Sequence, residues 1–135
     1  IVDGAELGDN AKAALMTRGL HEMKRMGSRL GASQDTFSGL TGMGDLIVTC
    51  TSQHSRNRYV GYNIGKGKSL QEITENMSMV AEGVKTAKSV TQWSKKNNVE
   101  MPITHAVYSV LFENVDPQDA LRQLMTRNLK EEIMI

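Results

Sequence analysis

Residues 10–30 read NAKAALMTRGLHEMKRMGSRL, and the spacing of the apolar residues in this stretch indicates the fold class. Steps of three and four place the apolar and small residues on one face of a helix, namely Met16, Leu20, Met23, Gly27 and Leu30. The side chains of the opposite face are most simply a solvated surface: Lys12, Glu22, Arg25 and Arg29. We therefore predict that the longest helix lies here, with the large side chains of its apolar face buried.

Residues typical of helix ends mark where this helix and the later ones begin and stop. Asp9 or Asn10 can cap the first turn, and Gly31 stands where a left-handed residue would end the helix. Ser69 and Glu72 are spaced as a capping box, in which a hydroxyl and a carboxylate satisfy two free backbone donors. Caps, prolines and apolar spacing predict further helices at residues 45–51, 55–64, 69–77, 83–96, 102–112 and from 117 onward.

The fold predicted from these patterns is all-α, because every apolar period is near four and three and no segment alternates as a strand does. We expect about seven or eight helices packed round the helix at residues 10–30, with a linker at 33–41 and an extended or looped segment at 80–82. The 135 residues fit a single domain. The three histidines have no cysteine or carboxylate at ligand spacing, so no metal site is expected.

Charge and cysteine content narrow the class of protein. Sixteen basic and fifteen acidic residues give a net charge of +1, which argues against binding to nucleic acid or to an anionic membrane. The single cysteine, Cys50, lies in an apolar run, where a thiol is usually a small buried hydrophobe, and we assign it no chemistry. No signal peptide or membrane-length apolar stretch is present, so a cytoplasmic location is expected.

Residues 42–58, GMGDLIVTCTSQHSRNR, carry most of the functional signal. Asp45 places a carboxylate at the start of one predicted helix. Ser55, Arg56 and Asn57 offer a hydroxyl, a guanidinium and an amide at the start of the next, where free N–H groups favour a phosphate. A carboxylate for sugar-like hydroxyls and donors for phosphate suggest a phosphorylated polyol as the ligand.

A purely structural interpretation of the same residues stays open. Asp45 and Ser55 are both residues that cap helices, and composition does not decide between capping and binding. Gly42 and Gly44 are expected to let the backbone turn tightly ahead of Asp45. His54 is either a lining residue of the pocket or an exposed loop histidine.

The stretch at 42–58 resembles a signature of the bacterial NAD(P)-dependent glycerol-3-phosphate dehydrogenases, Gly-x-Gly-Asp-Leu-x-x-Thr-Cys-x-Ser-x-x-Ser-Arg-Asn. GDNAKAALMTRG at 8–19 is similar to a second signature of that family, and VAEG at 80–83 and MPI at 101–103 also fall where the family has them. The resemblance spans essentially the whole chain. It implies that residues 1–135 are the family's C-terminal substrate-binding domain, of the 6-phosphogluconate dehydrogenase C-terminal-like type.

The resemblance also implies an activity, which is the reversible reduction of dihydroxyacetone phosphate to sn-glycerol 3-phosphate with NADH or NADPH, for glycerophospholipid synthesis. The family's N-terminal Rossmann domain, with its Gly-x-Gly-x-x-Gly loop, is absent from this sequence. The family's catalytic lysine is expected upstream of Ile1, so no catalytic residue is assigned here. We expect this domain to be inactive alone.

Site residues carry over from the family position by position. Four match the family's substrate-binding positions: Asp45, Ser55, Arg56 and Asn57. Three match positions that contact NAD or NADP from this domain: Arg56, Val80 and Glu82. Arg56 is the strongest candidate because a guanidinium can bind two phosphate oxygens, and Thr49 is a weaker one. We expect Asp45, Thr49 and the triplet at 55–57 to converge on one concave, positively biased surface.

Two other classes of protein are alternatives. A helical protein-interaction module explains the amphipathic pattern but not the two signatures. A nucleic-acid-binding helical module would use Arg56, Arg58 and Lys66 against phosphates, and the near-neutral charge and 4% aromatic content weaken it. The expected partners are the small-molecule substrate and the Rossmann domain of the same protein, with no nucleic acid and no membrane. Oligomeric state cannot be read from the sequence, and a homodimer is the working expectation.

Overall fold

A computed structural model describes residues 1–127, and the regular elements among these residues are all helices, with no strand. The all-α prediction is therefore confirmed. The α-helices are α1 Asp9–Arg29, α2 Asp45–Thr51, α3 Arg56–Gly65, α4 Leu70–Glu75, α5 Glu82–Asn97, α6 Pro102–Phe112 and α7 Pro117–Met125. A 3₁₀ helix, Gln34–Ser38, and a π-helix, Leu40–Gly44, lie between α1 and α2.

The hydrophobic core is centred on α3, and the prediction that the helices pack round α1 is wrong. The buried cluster contains two residues of α3 and residues of α4, α6 and α7, together with Ala81: Val60, Ile64, Ile73, Ala81, Val110 and Ala120. Residues 1–5 close the other side of α3, where a Cβ on Gly61 would lie 2.7 Å from the Ile1 nitrogen. Because glycine permits that approach, the N-terminal residues cover α3 on a second side.

Burial along α1 follows the predicted face only in part. Leu20 and Gly27 are buried and Met16 and Met23 are half-buried, but Leu30 is 62% exposed. Leu30 is the C-cap of α1 and so lies at the very end of the helix. Gly31 adopts the predicted left-handed conformation, with φ 86°. The helix starts differently from the prediction, because Gly8 is the N-cap and no side chain caps this end.

Glu22 is the main correction on α1, since it was expected on a solvated face and is only 4% exposed. Its carboxylate accepts hydrogen bonds from the backbone N–H groups of Ile103 and Thr104, at 2.5 and 3.1 Å, and from the Thr104 hydroxyl at 2.9 Å. These N–H groups belong to the first turn of α6, where backbone N–H groups have no acceptor within the helix. A carboxylate at a helix N-terminus is also favoured by the helix dipole, so burial of Glu22 joins α1 to α6.

Most later helix ends agree with the sequence. Ser69 and Glu72 form the predicted capping box at α4, and Asp116 accepts from two backbone N–H groups at the start of α7. Pro102 begins α6, and Asn98 ends α5 in the left-handed conformation with φ 52°. Helix α4 is shorter than predicted and ends at Glu75.

The segment between α1 and α2 is more regular than the predicted linker. Gly44 has ordinary helical angles, φ −62° and ψ −47°, so the expected tight turn at Gly42 and Gly44 is not formed. The Gly44 N–H instead donates to the Gly39 carbonyl at 3.2 Å, the i to i−5 bond of a π-helix. Gly42 is required by packing, because a Cβ there would collide with the backbone of Phe37.

Candidate functional site

A concave depression of about 350 Å³ lies where α2 ends and where α3 and α5 begin. Its lining comes from these three helices and from the turn that joins α2 to α3: Val48, Thr49, Ser52, His54, Ser55, Arg56, Asn57 and Glu82. Two helix N-termini therefore meet at one open surface. The first N–H groups of a helix are free donors and carry partial positive charge, so this junction favours an anionic ligand.

Ser55 is the N-cap of α3, as the structural interpretation predicted. Its Oγ accepts a hydrogen bond from the Arg58 backbone N–H at 3.1 Å. The hydroxyl proton takes no part in that bond and can still be donated to a ligand. Ser55 is half-buried in the lining, so capping and binding are compatible at this position.

Arg56 is the first residue of α3, and its side chain is exposed in the depression. Within residues 1–127 its guanidinium has no hydrogen-bond or ion-pair partner. The nearby Arg58 differs, because its guanidinium donates to the Asp3 carboxylate at 3.0 Å. Arg56 therefore keeps its full set of five donors for a ligand.

Asn57 is held by the start of α5. Its Oδ1 accepts a hydrogen bond from the Gly83 backbone N–H at 2.9 Å. This bond links α3 to α5 across 26 residues of sequence and fixes one end of the amide. The other end, Nδ2, is left as a pair of donors.

The predicted residues converge only in part. Thr49, Ser55, Arg56 and Asn57 all line the depression. Asp45 is exposed and lies outside the lining, one helical turn before Thr49 on the same face of α2. Asp45 begins α2 as predicted, and the π-helix continues directly into it. Because Gly44 occupies the N-cap position, the capping interpretation of Asp45 is wrong.

The two other cofactor candidates occupy neighbouring positions at the start of α5. Glu82 lines the depression as the first residue of α5, and Val80 lies outside the lining, two residues earlier, with its side chain 54% exposed. The lining therefore holds one guanidinium, from Arg56, and one carboxylate, from Glu82, so the formal charges of its side chains cancel and the predicted positive bias rests on the two helix N-termini alone.

Sequence reasoning missed two lining residues, Val48 and Ser52. Ser52 follows Thr49 by three positions, so helical spacing from Thr49 would have identified it, whereas Val48, the direct neighbour of Thr49, carries no such signal. His54, left open between pocket and loop, lies in the lining.

The described residues give little support to a cysteine nucleophile, a metal site or a membrane-spanning helix. The Cys50 thiol is half-buried, and burial raises its pKa, which opposes formation of a nucleophilic thiolate at neutral pH. Across residues 1–127, no three His, Cys, Asp or Glu side chains are grouped so that they could hold a metal ion. None of the helices in that range is both long and apolar enough to cross a membrane.

Comparison with known proteins identifies the family. Residues 1–122 match the family model described as "NAD-dependent glycerol-3-phosphate dehydrogenase C-terminus". The chain belongs to this family. It is 56% identical over 132 residues to glycerol-3-phosphate dehydrogenase [NAD(P)+] 1 of Salinibacter ruber, covering 98% of this chain and 39% of that protein. It is 57% identical over 133 residues to glycerol-3-phosphate dehydrogenase [NAD(P)+] of Geobacillus kaustophilus, with coverages of 98% and 39%.

A solved structure agrees with the family assignment. The crystal structure of glycerol-3-phosphate dehydrogenase from Coxiella burnetii superposes with a TM-score of 0.89 at 43% identity, covering 93% of this chain and 39% of that one. The chain thus spans about two fifths of the length of its dehydrogenase relatives, and it corresponds to the family's C-terminal domain.

Proposed function

We propose that this domain is the substrate-binding half of an oxidoreductase that interconverts dihydroxyacetone phosphate and sn-glycerol 3-phosphate with NADH or NADPH. The observation that carries the proposal is the meeting of Ser55, Arg56 and Asn57 in one depression at the start of α3. All three match the family signature, and all three present donors to the same space. The relatives are named for glycerol 3-phosphate, which carries the dianionic group that such donors bind.

Different residues of the site would bind the phosphate and the hydroxyl groups of the ligand. The Arg56 guanidinium can bind two phosphoryl oxygens, and Asn57 Nδ2 and the Ser55 hydroxyl add donors beside it. Asp45, one turn before Thr49 on α2, would accept from a substrate hydroxyl at the end remote from the phosphate. We keep Asp45 in the site on this basis, although it lies outside the lining of the depression.

The described residues fit the edge of a dinucleotide but not the whole of it. Arg56 provides donors for a phosphate, and Glu82 and the backbone at Val80 provide acceptors at the start of α5. When bound, the nicotinamide would supply or accept the hydride. A Rossmann domain of the same protein would hold most of NAD or NADP, and this domain's residues would orient the phosphorylated substrate against it.

The wider setting belongs to the same proposal. The product, sn-glycerol 3-phosphate, would supply glycerophospholipid synthesis in the cytoplasm, and a homodimer is the oligomeric state that we would test first. Neither a nucleic acid nor a membrane is a proposed partner. The family match favours this function over a helical protein-interaction or nucleic-acid-binding module.

The test uses the purified full-length protein with dihydroxyacetone phosphate and either NADH or NADPH. We expect a substrate-dependent decrease in the absorbance of the reduced nicotinamide. Millimolar glycerol 3-phosphate should also raise the melting temperature. Salt-dependent binding to DNA, with no nicotinamide oxidation and no thermal shift, would contradict the proposal and support the nucleic-acid alternative.

A further inference from the structure

We propose that Gly83 is a positioning residue, whose backbone N–H turns the Asn57 amide so that this side chain presents only its N–H donors to the depression. The Asn57 position would thereby be specific for an unprotonated phosphoryl group over a group that must donate a hydrogen bond. This inference rests on the proposed function, because it concerns the same ligand.

The orientation of the Asn57 amide follows from hydrogen-bond chemistry. A backbone N–H can only donate, so the atom of Asn57 that lies 2.9 Å from the Gly83 nitrogen must be the carbonyl oxygen. A flipped amide would place two donors against each other, which fixes the assignment of oxygen and nitrogen. The NH₂ group is therefore directed away from α5, and Asn57 contributes no acceptor to the ligand.

The absence of a side chain at position 83 is part of this arrangement. A Cβ on Gly83 would lie 2.8 Å from Asn57 Oδ1, 2.9 Å from Cγ and 3.1 Å from Nδ2. All three distances are shorter than ordinary contacts, and all three atoms are at the end of one side chain. A methyl group at 83 would therefore push the Asn57 amide aside and leave the backbone of α5 in place.

The expected effects on stability and on binding are opposite, which separates positioning from packing. Gly83 lies in the first turn of α5, where alanine is a better helix former than glycine. Gly83→Ala should then keep or raise the melting temperature while it displaces the donors of Asn57. A glycine needed only for close packing would lower the melting temperature on the same substitution.

A second variant changes the donors and keeps the bond to α5. In Asn57→Asp one carboxylate oxygen still accepts from the Gly83 N–H, and the other replaces the NH₂ group in the depression. This carboxylate faces the phosphate beside Glu82, so like charges oppose binding there. The fold should be retained and phosphate binding lost.

The experiment measures steady-state kinetics and binding of inorganic phosphate in the full-length protein. For Gly83→Ala we expect the KM for dihydroxyacetone phosphate and the inhibition constant of inorganic phosphate to rise together by about tenfold or more, with kcat changed less. Asn57→Asp should show the larger increase in both. Gln123→Ala, on the exposed surface of α7, is the control, and its KM should not change.

Two results would overturn the inference. One is an unchanged phosphate inhibition constant in Gly83→Ala, and the other is a fall in melting temperature with kcat reduced and KM retained. A protein that does not reduce dihydroxyacetone phosphate at all would contradict the proposed function instead. In that case phosphate binding by calorimetry, compared between the unsubstituted protein and Gly83→Ala, still decides the role of Gly83.

Discussion

Arg56 and Arg58 lie two residues apart in the first turn of α3. Within residues 1–127, Arg58 is paired with a carboxylate and Arg56 is not. Arg58 donates to Asp3 and lies over the ring of Tyr62, with its guanidinium carbon 5.7 Å from the ring centroid. Lys12 donates to the same Asp3 carboxylate at 2.7 Å. Arg58 is thus ion-paired within the fold, and the guanidinium of Arg56 remains available to a ligand.

Replacement of Arg56 by lysine in the full-length protein should lower kcat/KM for dihydroxyacetone phosphate by about tenfold to a hundredfold, or about 1.5–3 kcal/mol. Lysine keeps the charge but loses the planar group that binds two phosphate oxygens, and alanine should be worse. Arg122→Ala, on the exposed surface of α7, is the control and should have unchanged kinetics. Unchanged efficiency in both Arg56 variants, with normal melting temperatures, would remove Arg56 from the site.

The ion pairs of Asp3 lead us to predict that this residue makes a pH-dependent contribution to stability. The hydrogen bond from Lys12, and then that from Arg58, lower the pKa of the Asp3 carboxyl below its ordinary value of 3.8. The ionised form therefore favours the folded state, so the contribution is complete above pH 3.8 and is lost as the pH falls through the lower folded pKa. Because the group is partly exposed, Asp3→Asn should cost only about 1 kcal/mol near neutral pH.

Urea unfolding at several pH values measures this contribution directly. The difference in unfolding free energy between the unsubstituted protein and Asp3→Asn should be constant near neutrality and should vanish in strong acid. Glu6→Gln is the control, since the Glu6 carboxylate is 82% exposed and lies 3.5 Å from Lys66. A difference that grows as the pH falls would have the wrong sign for this explanation.

At the scale of elements, α1 and α6 are joined by hydrogen bonds that the sequence of neither helix predicts by itself. Glu22 satisfies the first N–H groups of α6, and Arg25, one turn later on α1, donates to the Glu100 carbonyl just before α6. The start of α6 is thus fixed by two side chains of one distant helix. These contacts orient α6 against the core through Val110.

Glu22→Ala should destabilise the fold by about 1–3 kcal/mol, because it leaves buried backbone donors without partners. Glu22→Gln keeps one oxygen acceptor and should cost less. The midpoint of urea unfolding measures both, and Glu113→Ala on the exposed end of α6 is the control. Equal stability of Glu22→Ala and the unsubstituted protein would show that water replaces the carboxylate at the helix start.

Helix boundaries were predictable because their signals are local. The capping box at Ser69, the cap at Asp116 and proline at Pro102 each act within a few residues and were placed correctly. The burial of Glu22 was not predictable, since its partners lie 81 and 82 residues away and its position on α1 is that of an exposed residue. The hydrogen bond between Asn57 and Gly83 was not predictable for the same reason, although both residues belong to the family signatures.

At the scale of the whole molecule, large apolar side chains are exposed in the helices and loop that lead to the depression: Leu40, Met43, Ile47, Val48, Met79 and Val80. Several large exposed apolar side chains beside a polar site are typical of a surface that another part of a protein covers. This agrees with the proposal that a Rossmann domain completes the site from that side.

Residues 1–135 produced alone should give a helical circular dichroism spectrum and should oxidise neither NADH nor NADPH. Millimolar glycerol 3-phosphate should raise the melting temperature by binding to the depression. The same addition to an Arg56→Ala domain is the control and should give a smaller shift. Nicotinamide oxidation by the isolated domain would contradict the assignment of catalysis to residues outside it.

The π-helical turn Leu40–Gly44 also has a consequence for how this sequence can evolve. A π turn holds one more residue between its hydrogen-bonded groups than an α-helical turn does. Loss of one residue there would rotate the two ends of the segment relative to each other by about 100°, since each residue of an α-helix turns by that angle. With Gly42 fixed against Phe37, the rotation would carry Thr49 out of the depression. Natural variants should therefore tolerate exchanges of residue type in this segment far better than a change in its length.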